Sequence, residues 1–317
     1  AVKSTTRIVA AEPSSAASQR FLLESSSLFG ERYVSLQIAS GKQLKAGATD
    51  GASVVVAAAS TKTMAQVVYI EKSGSSWLIR DFNGRYLTAT DTAAASAVTT
   101  SSANSATSQK WRISIQDGGT ISITGVGSGL ALTHSGTSVV IGTAGTTAAS
   151  WTFVDRTIDA MKERIAQVAI HFAEHDGHGY SQPNRGGGGK EVITLQDGSK
   201  VTICGGDVDC SELVRFCVNS VIGYDTIEFM WTGNEDELLK ANGFVRLKFS
   251  ASEVQRGDIL WVSGHTGVAL GNNQQSDALG DEYNGIYGVN RGDQTGKEIA
   301  VRTLASSLWT YIYRYVG

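Results

Sequence analysis

The sequence predicts two domains of different class, an all-β module with threefold internal repetition followed by an α+β domain. Its 317 residues exceed one ordinary domain, and 41% apolar against 18% charged residues suits a chain that buries sizeable cores. The first half repeats at a fixed period with alternating apolar residues, and from Asp155 the apolar spacing becomes helical.

The repeat is carried by Gly41-Lys42-Gln43-Leu44, Gly84-Arg85-Tyr86-Leu87 and Gly129-Leu130-Ala131-Leu132, whose leucines lie 43 and 45 residues apart. Each unit closes alike, in Ala65-Gln66-Val67-Val68, Ser108-Gln109-Lys110-Trp111 and Ala148-Ala149-Ser150-Trp151. Within the units, runs such as Tyr33–Ile38, Trp77–Arg80 and Ile121–Thr124 alternate and read as half-buried strands between Gly and Asn turns. Such a period means equivalent units sharing one core.

Three units closing on Gln-x-Trp-like triplets resemble the ricin-B type β-trefoil, over roughly residues 28–155. The resemblance implies carbohydrate binding through an Asp after each Gly-x-x-Leu strand, an aromatic platform and the Gln of the triplet. Here the Asp positions fall near Lys45, Thr88 and Thr133, and Val54–Val56, Ala97–Thr99 and Val139–Ile141 offer no ring for a sugar face to stack on. Gln66, Gln109, Trp111 and Trp151 are therefore expected to bond and fill the core, and any glycan or wall-polymer binding falls to other surface groups.

In the second half, Ile158, Met161, Ile165, Val168, Ala169 and Phe172 recur at helical spacing behind Asp155 or Thr157 as N-cap. Leu213, Val214, Phe216, Val218 and Val221 predict another helix at 210–222, stopped by Gly223. Asp258–Val262, Thr266–Leu270 and Leu308–Tyr315 read as strands, and Lys190–Ile203 as a hairpin turning at Asp197-Gly198.

Asp207-Val208-Asp209-Cys210-Ser211 puts a thiol on the first turn of the 210–222 helix, where free N–H groups and the helix dipole are expected to lower its pKa. Ser263-Gly264-His265-Thr266-Gly267 supplies an imidazole at the head of a strand. A thiol, a base and a group to hold the ring are the apparatus for acyl transfer from an amide.

The order Tyr180, Asp209-Cys210-Ser211, Arg256-Gly257-Asp258-Ile259-Leu260 and His265-Thr266-Gly267-Val268-Ala269-Leu270-Gly271 resembles the NlpC-type, papain-like peptidoglycan hydrolases over roughly 157–317. His178-Gly179-Tyr180-Ser181-Gln182 and Gly292-Asp293-Gln294-Thr295-Gly296-Lys297-Glu298 look like the phage-lysin branch. The resemblance implies a papain-like α+β fold that cuts an amide in the peptide part of bacterial peptidoglycan, with Cys210 as nucleophile and His265 as base. A third polar residue twelve after the His selects Asp277, and Tyr180 and Ser211 are expected at the substrate and oxyanion. No cofactor or metal is implied. The alternative is a wall- or glycan-binding protein whose hydrolase domain is inactive.

His171-Phe172-Ala173-Glu174-His175 matches the H-x-x-E-H zinc-peptidase pattern, a rival that needs a third ligand from elsewhere. Gly186–Gly189-Lys190 lacks the Ser or Thr of a phosphate loop, since Glu191 stands there. Cys217 is expected in the core, and Cys204 as a turn residue or additional thiol. Two Arg-Gly-Asp tripeptides, at 256–258 and 291–293, fall inside the family-like motifs.

Residues 1–151 carry 12 Lys and Arg against 8 Asp and Glu, net +4, and residues 152–317 carry 15 against 22, net −7. Neither half has the basic stripe that nucleic-acid binding needs, and no apolar run approaches the roughly 20 residues of a membrane helix. Three cysteines are too few for a disulfide scaffold. The small polar stretch Ala1–Ser18 suits a mature secreted or wall-associated protein, or a shortened chain. Residues 1–27 are thus expected as an N-terminal extension, 28–155 as the trefoil and 156–317 as the hydrolase domain.

Overall fold

The computed structural model describes residues 31–116 and 118–317. The expected extension 1–27, and residues 28–30 of the expected trefoil, lie outside them. Six strands close a barrel. Arg32–Gln37 pairs with Thr152–Asp155 and with Val68–Ser73, and Val68–Ser73 pairs with Ser76–Asp81. Trp77 meets Trp111 on Trp111–Ile115, that strand pairs with Ile121–Gly125, and the bridge Ile121 to Trp151 completes the circuit. Three hairpins cap one end: Gln43–Lys45 with Val55–Ala57, Tyr86–Ala89 with Val98–Ser101, and Ala131–Ser135 with Ser138–Gly142. This is a trefoil-like threefold arrangement.

The repeated residues do equivalent work in each unit. Gly41, Gly84 and Gly129 have φ of +80°, +75° and +70°, a left-handed turn that side-chain-bearing residues avoid. Trp111 Nε1 donates to Leu87 O at 3.0 Å, and Trp151 Nε1 to Leu132 O at 2.9 Å, both indoles fully buried. Gln66 accepts from Ser60 N–H and donates to Ala58 O, while Gln109 accepts from Asn104 N–H and donates to Thr88 and Ser102. Both glutamines are spent on the loops and hairpin strands of their own units.

The last barrel strand runs into helix α1 (Thr157–Glu174), followed by the hairpin β1 (Lys190–Thr194) and β2 (Lys200–Cys204), then α2 (Cys210–Ile222) and α3 (Glu235–Ala241). Strands β3 (Phe244–Lys248), β4 (Ile259–Val262), β5 (His265–Gly271), β6 (Gln274–Ala278), β7 (Ile299–Thr303) and β8 (Tyr311–Tyr315) form one antiparallel sheet in the order β3-β8-β4-β5-β6-β7. Phe172 of α1 and Phe216 of α2 share a core with Val268 and Leu270 of β5. Gly223, at φ +117°, stops α2. The final strand starts at Tyr311 rather than Leu308, because Trp309 turns inward to a different task described below.

The sequence reading omitted α3, β3, β6 and β7. Strand β6, Gln-Gln-Ser-Asp-Ala, is polar yet buried over its last four residues, so apolar alternation could not reveal it. The first Arg-Gly-Asp tripeptide is structural. Arg256 forks onto Glu163 at 2.6 and 2.7 Å, and Asp258 receives Arg314 at 2.9 and 2.7 Å. Between them a Cβ on Gly257 would stand 2.2 Å from Lys162 O.

The two halves are joined tightly. Arg156, 4% exposed, bonds Asp159 of α1 and reaches back to Ser35 Oγ at 3.0 Å. Tyr33 of the barrel donates to Asp197 at the tip of the β1–β2 hairpin, and Gln196 donates to Asn83 at 2.6 Å. Tyr33, Val67 and Phe82 pack on Ala160 of α1.

Candidate active site

Asp209 caps α2. Its Oδ1 accepts from Glu212 N–H at 2.7 Å, satisfying one orphan donor of the first turn, and from the Ser211 hydroxyl at 2.8 Å, with Cys210 at the helix head. Arg185 donates to Asp209 and lies 4.8 Å over the exposed Phe229 ring. Ser211 follows the thiol on the first turn of α2. Its hydroxyl is committed to Asp209 and faces Arg185 at 3.2 Å, and only its main-chain N–H is aimed at the sulfur.

The thiol departs from expectation. Burial, then the Asp209 carboxylate, push Cys210 up to about 12, although N–H groups of Thr266 and Ser211 point at Sγ and pull the other way. Cys210 is 8% exposed, so desolvation outweighs the helix terminus that the sequence suggested would win. At neutral pH the group therefore rests as the thiol.

His265 starts β5, the strand packed against α2, whose first residue is Cys210. Its Nε2 donates to Asp277 Oδ2 at 2.9 Å. Asp277 lies on β6, 1% exposed, with Arg302 Nε 2.7 Å from Oδ1 and Gln275 donating to Oδ2 at 3.0 Å. Gln275 and Asp277 share one face of β6 through the two-residue strand period. Gln275 Oε1 in turn accepts from Trp309 Nε1 at 3.0 Å, and the indole stacks on His265 at 5.4 Å and 18°. Imidazole and carboxylate are thus clamped by three residues the sequence reading missed, and only the Gln-x-Asp spacing hinted at them.

Tyr180 pairs with Val208 in a parallel bridge two residues before Cys210, despite the hairpin inserted between them. Its N–H donates to Glu298 at 2.9 Å, and the neighbouring Gly179 N–H to Asp207 at 3.0 Å. Glu298 is where the second sequence motif enters: Asp293 ties its loop by accepting from Thr295, Gly296 and Glu298 N–H groups. Burial pushes the Tyr180 phenol up to about 12, so it stays a donor.

Glu235, also missed, is the first residue of α3 and fully buried. Thr266 Oγ1 lies 2.7 Å from its Oε1 and 2.9 Å from Leu260 O. One hydroxyl proton cannot serve both acceptors, and a protonated carboxyl resolves the conflict by donating to Thr266. Burial accordingly pushes Glu235 up to about 8. The folded chain holds this proton where the unfolded chain has lost it, so stability falls as pH rises from about 4.5 to about 8 and is flat above. Glu235→Gln should stabilise by on the order of 3 kcal/mol at pH 8 and little at pH 4, measured by urea unfolding at both.

The other thiols are inert by burial, all three cysteines being free. Cys217 is fully buried in the core, and Cys204, 1% exposed, is pushed up to about 12. The H-x-x-E-H reading fails in its particulars. Glu174 is exposed, and His175 stacks on His171 at 3.9 Å while donating to His171 O. Burial first, then His175, hold His171 below the ordinary imidazole value. Lys190 begins a strand rather than a helix, which removes the phosphate-loop reading.

A family model described as an endolysin-like domain matches residues 134–276, less than half of the chain. The match takes in Tyr180, Cys210 and His265 and ends one residue before Asp277. No curated protein matches. Among solved structures the chain is similar to the designed threefold-symmetric protein ThreeFoil, 22% identical over 39% of this chain and 98% of that one, TM-score 0.37. It is similar to the chain of the PSL1a-E64 complex, 20% identical over 43% of this chain and about half (52%) of that one, TM-score 0.36. The cytolethal distending toxin of Actinobacillus actinomycetemcomitans is 14% identical over 42% of this chain and 94% of that one, TM-score 0.35.

Proposed function

We propose that residues 156–317 form a papain-like cysteine hydrolase that cuts an amide in the peptide part of bacterial peptidoglycan, and that the trefoil-like half brings it to the wall. The observation that supports this most is the His265 imidazole held through Nε2 by Asp277, on a strand packed against the helix that begins at Cys210. His265 takes the thiol proton as sulfur attacks the carbonyl carbon, and returns it to the leaving amine. Asp277, fixed by Arg302 and Gln275, steadies the imidazolium. The Tyr180 hydroxyl and N–H groups at the head of α2 are the donors for the oxyanion. Water then hydrolyses the thioester with His265 as base. The endolysin-like match points to the wall as substrate source.

A thiol pushed up to about 12 favours a second reading, a wall-binding protein with an inactive site. Iodoacetamide labelling separates them. A catalytic Cys210 should label before Cys204 and Cys217, at a rate still rising beyond the roughly 8.5 of a free cysteine. Labelling no faster than the other two would favour the inactive reading.

For the first half, net +4 over residues 1–151 without an aromatic platform favours anionic wall polymers over neutral sugars. The full chain should sediment with cell walls at low salt and be released as ionic strength passes about 0.15 M, where screening reaches about 8 Å. Salt-insensitive retention by a neutral sugar would instead reveal a lectin pocket.

A further inference from the structure

A second cluster lies apart from the thiol and its imidazole. His171, in the last turn of α1, His178, in the loop that follows, and Glu191, on β1, bring their ligand atoms within 4.8 Å of one another. His171 Nε2 is 3.3 Å from Glu191 Oε1, and His178 Nε2 is 3.3 Å from Oε2.

The hydrogen bonding of His178 gives this geometry its meaning. The ring is 2% exposed, and its Nδ1 donates to Gly206 O at 2.9 Å. With that proton spent, a neutral imidazole turns a lone pair from Nε2 toward the carboxylate, and two acceptors face each other across 3.3 Å. Only a second ring proton or a cation between them satisfies such a pair. A backbone carbonyl on the far nitrogen is also how proteins fix the tautomer of a metal-binding histidine. Two nitrogens and a carboxylate suit zinc, and bonds of about 2.0–2.1 Å in a tetrahedron set ligands about 3.3 Å apart.

We propose that His171, His178 and Glu191 form a binding site for a zinc-class divalent transition metal, with the fourth position open to water. The site fastens the end of α1 and the β1–β2 hairpin to the loop that leads into Gly179-Tyr180, and so braces the wall of the cleft from outside. It differs from the H-x-x-E-H reading in two of its three ligands. Glu174 takes no part, and His175 only stacks on His171.

The test uses the full chain carrying Cys210→Ala, so that the thiol and its imidazole cannot capture metal, stripped with EDTA and titrated with zinc by calorimetry and with cobalt by visible absorption. One zinc per chain should bind, raise the melting temperature and give the ligand-field bands of a four- or five-coordinate cobalt site. Glu191→Gln, a half-exposed and conservative change, should weaken binding by more than the roughly 10- to 100-fold that loss of an outer-shell partner costs. His178→Asn should do the same, and His175→Ala should leave it unchanged. Absence of saturable binding, binding equal in Glu191→Gln, or binding lost in His175→Ala would overturn the site.

Discussion

Cys210→Ala is expected to abolish amide hydrolysis, by on the order of 10⁴-fold or more, while the protein still folds. The magnitude follows from the absence of a substitute: Cys204 and Cys217 are deeply buried, and the Ser211 hydroxyl is committed to Asp209. Folding should survive because the Asp209 cap bonds Glu212 N–H and Ser211, neither of which needs the sulfur. Loss of one buried atom costs about 1 kcal/mol. Rates on soluble muropeptides and circular dichroism of the same sample check both halves. An active alanine variant would remove Cys210 from the mechanism.

His265→Ala and Asp277→Asn should separate widely. Without the imidazole nothing nearby can take a proton from a thiol pushed up to about 12, so a loss of about 10³- to 10⁴-fold is expected. Asp277→Asn retains an oxygen for Nε2 but turns an amide N–H₂ toward Arg302, which disturbs ring orientation without deleting the base. About 10- to 100-fold is expected there, together with a shifted pH profile. Asp281 and Glu282, the next acids along the chain, accept main-chain N–H groups of Tyr283, Gly285, Tyr287 and Val289. Their amides should lower stability and leave the pH profile alone. A silent Asp277→Asn with a severe Asp281→Asn would mean that the twelve-residue spacing chose the wrong acid.

The repeat, both long helices and the hairpin were legible because each rests on local rules. Gly-x-x-Leu marks a left-handed turn before a buried leucine, and Gly223 ends α2 where its apolar face ends. The choice of Asp277 came from the resemblance alone, and in the structure it meets His265 because β5 and β6 are adjacent antiparallel strands. What holds the pair was not legible. Trp309 comes from the far end of the chain and Arg302 from β7; Glu235, which lies on Thr266 outside that clamp, sits on a seven-residue helix too short to show periodicity. The thiol was misjudged for a related reason. The helix terminus is visible in sequence, whereas the burial and the Asp209 charge that outweigh it exist only after folding. The third metal-ligand position was hidden likewise, since Glu191 reaches His171 and His178 only through the hairpin fold.

Mass analysis of purified bacterial peptidoglycan, digested by the full chain beside Cys210→Ala, tests the central claim most directly. Cleavage by Cys210 predicts fragments carrying one added water across a single amide of the wall peptide, new primary amines in equal amount, intact glycan strands, and none of these from the variant. New reducing ends with the peptides intact, or the same fragments from Cys210→Ala, would contradict it.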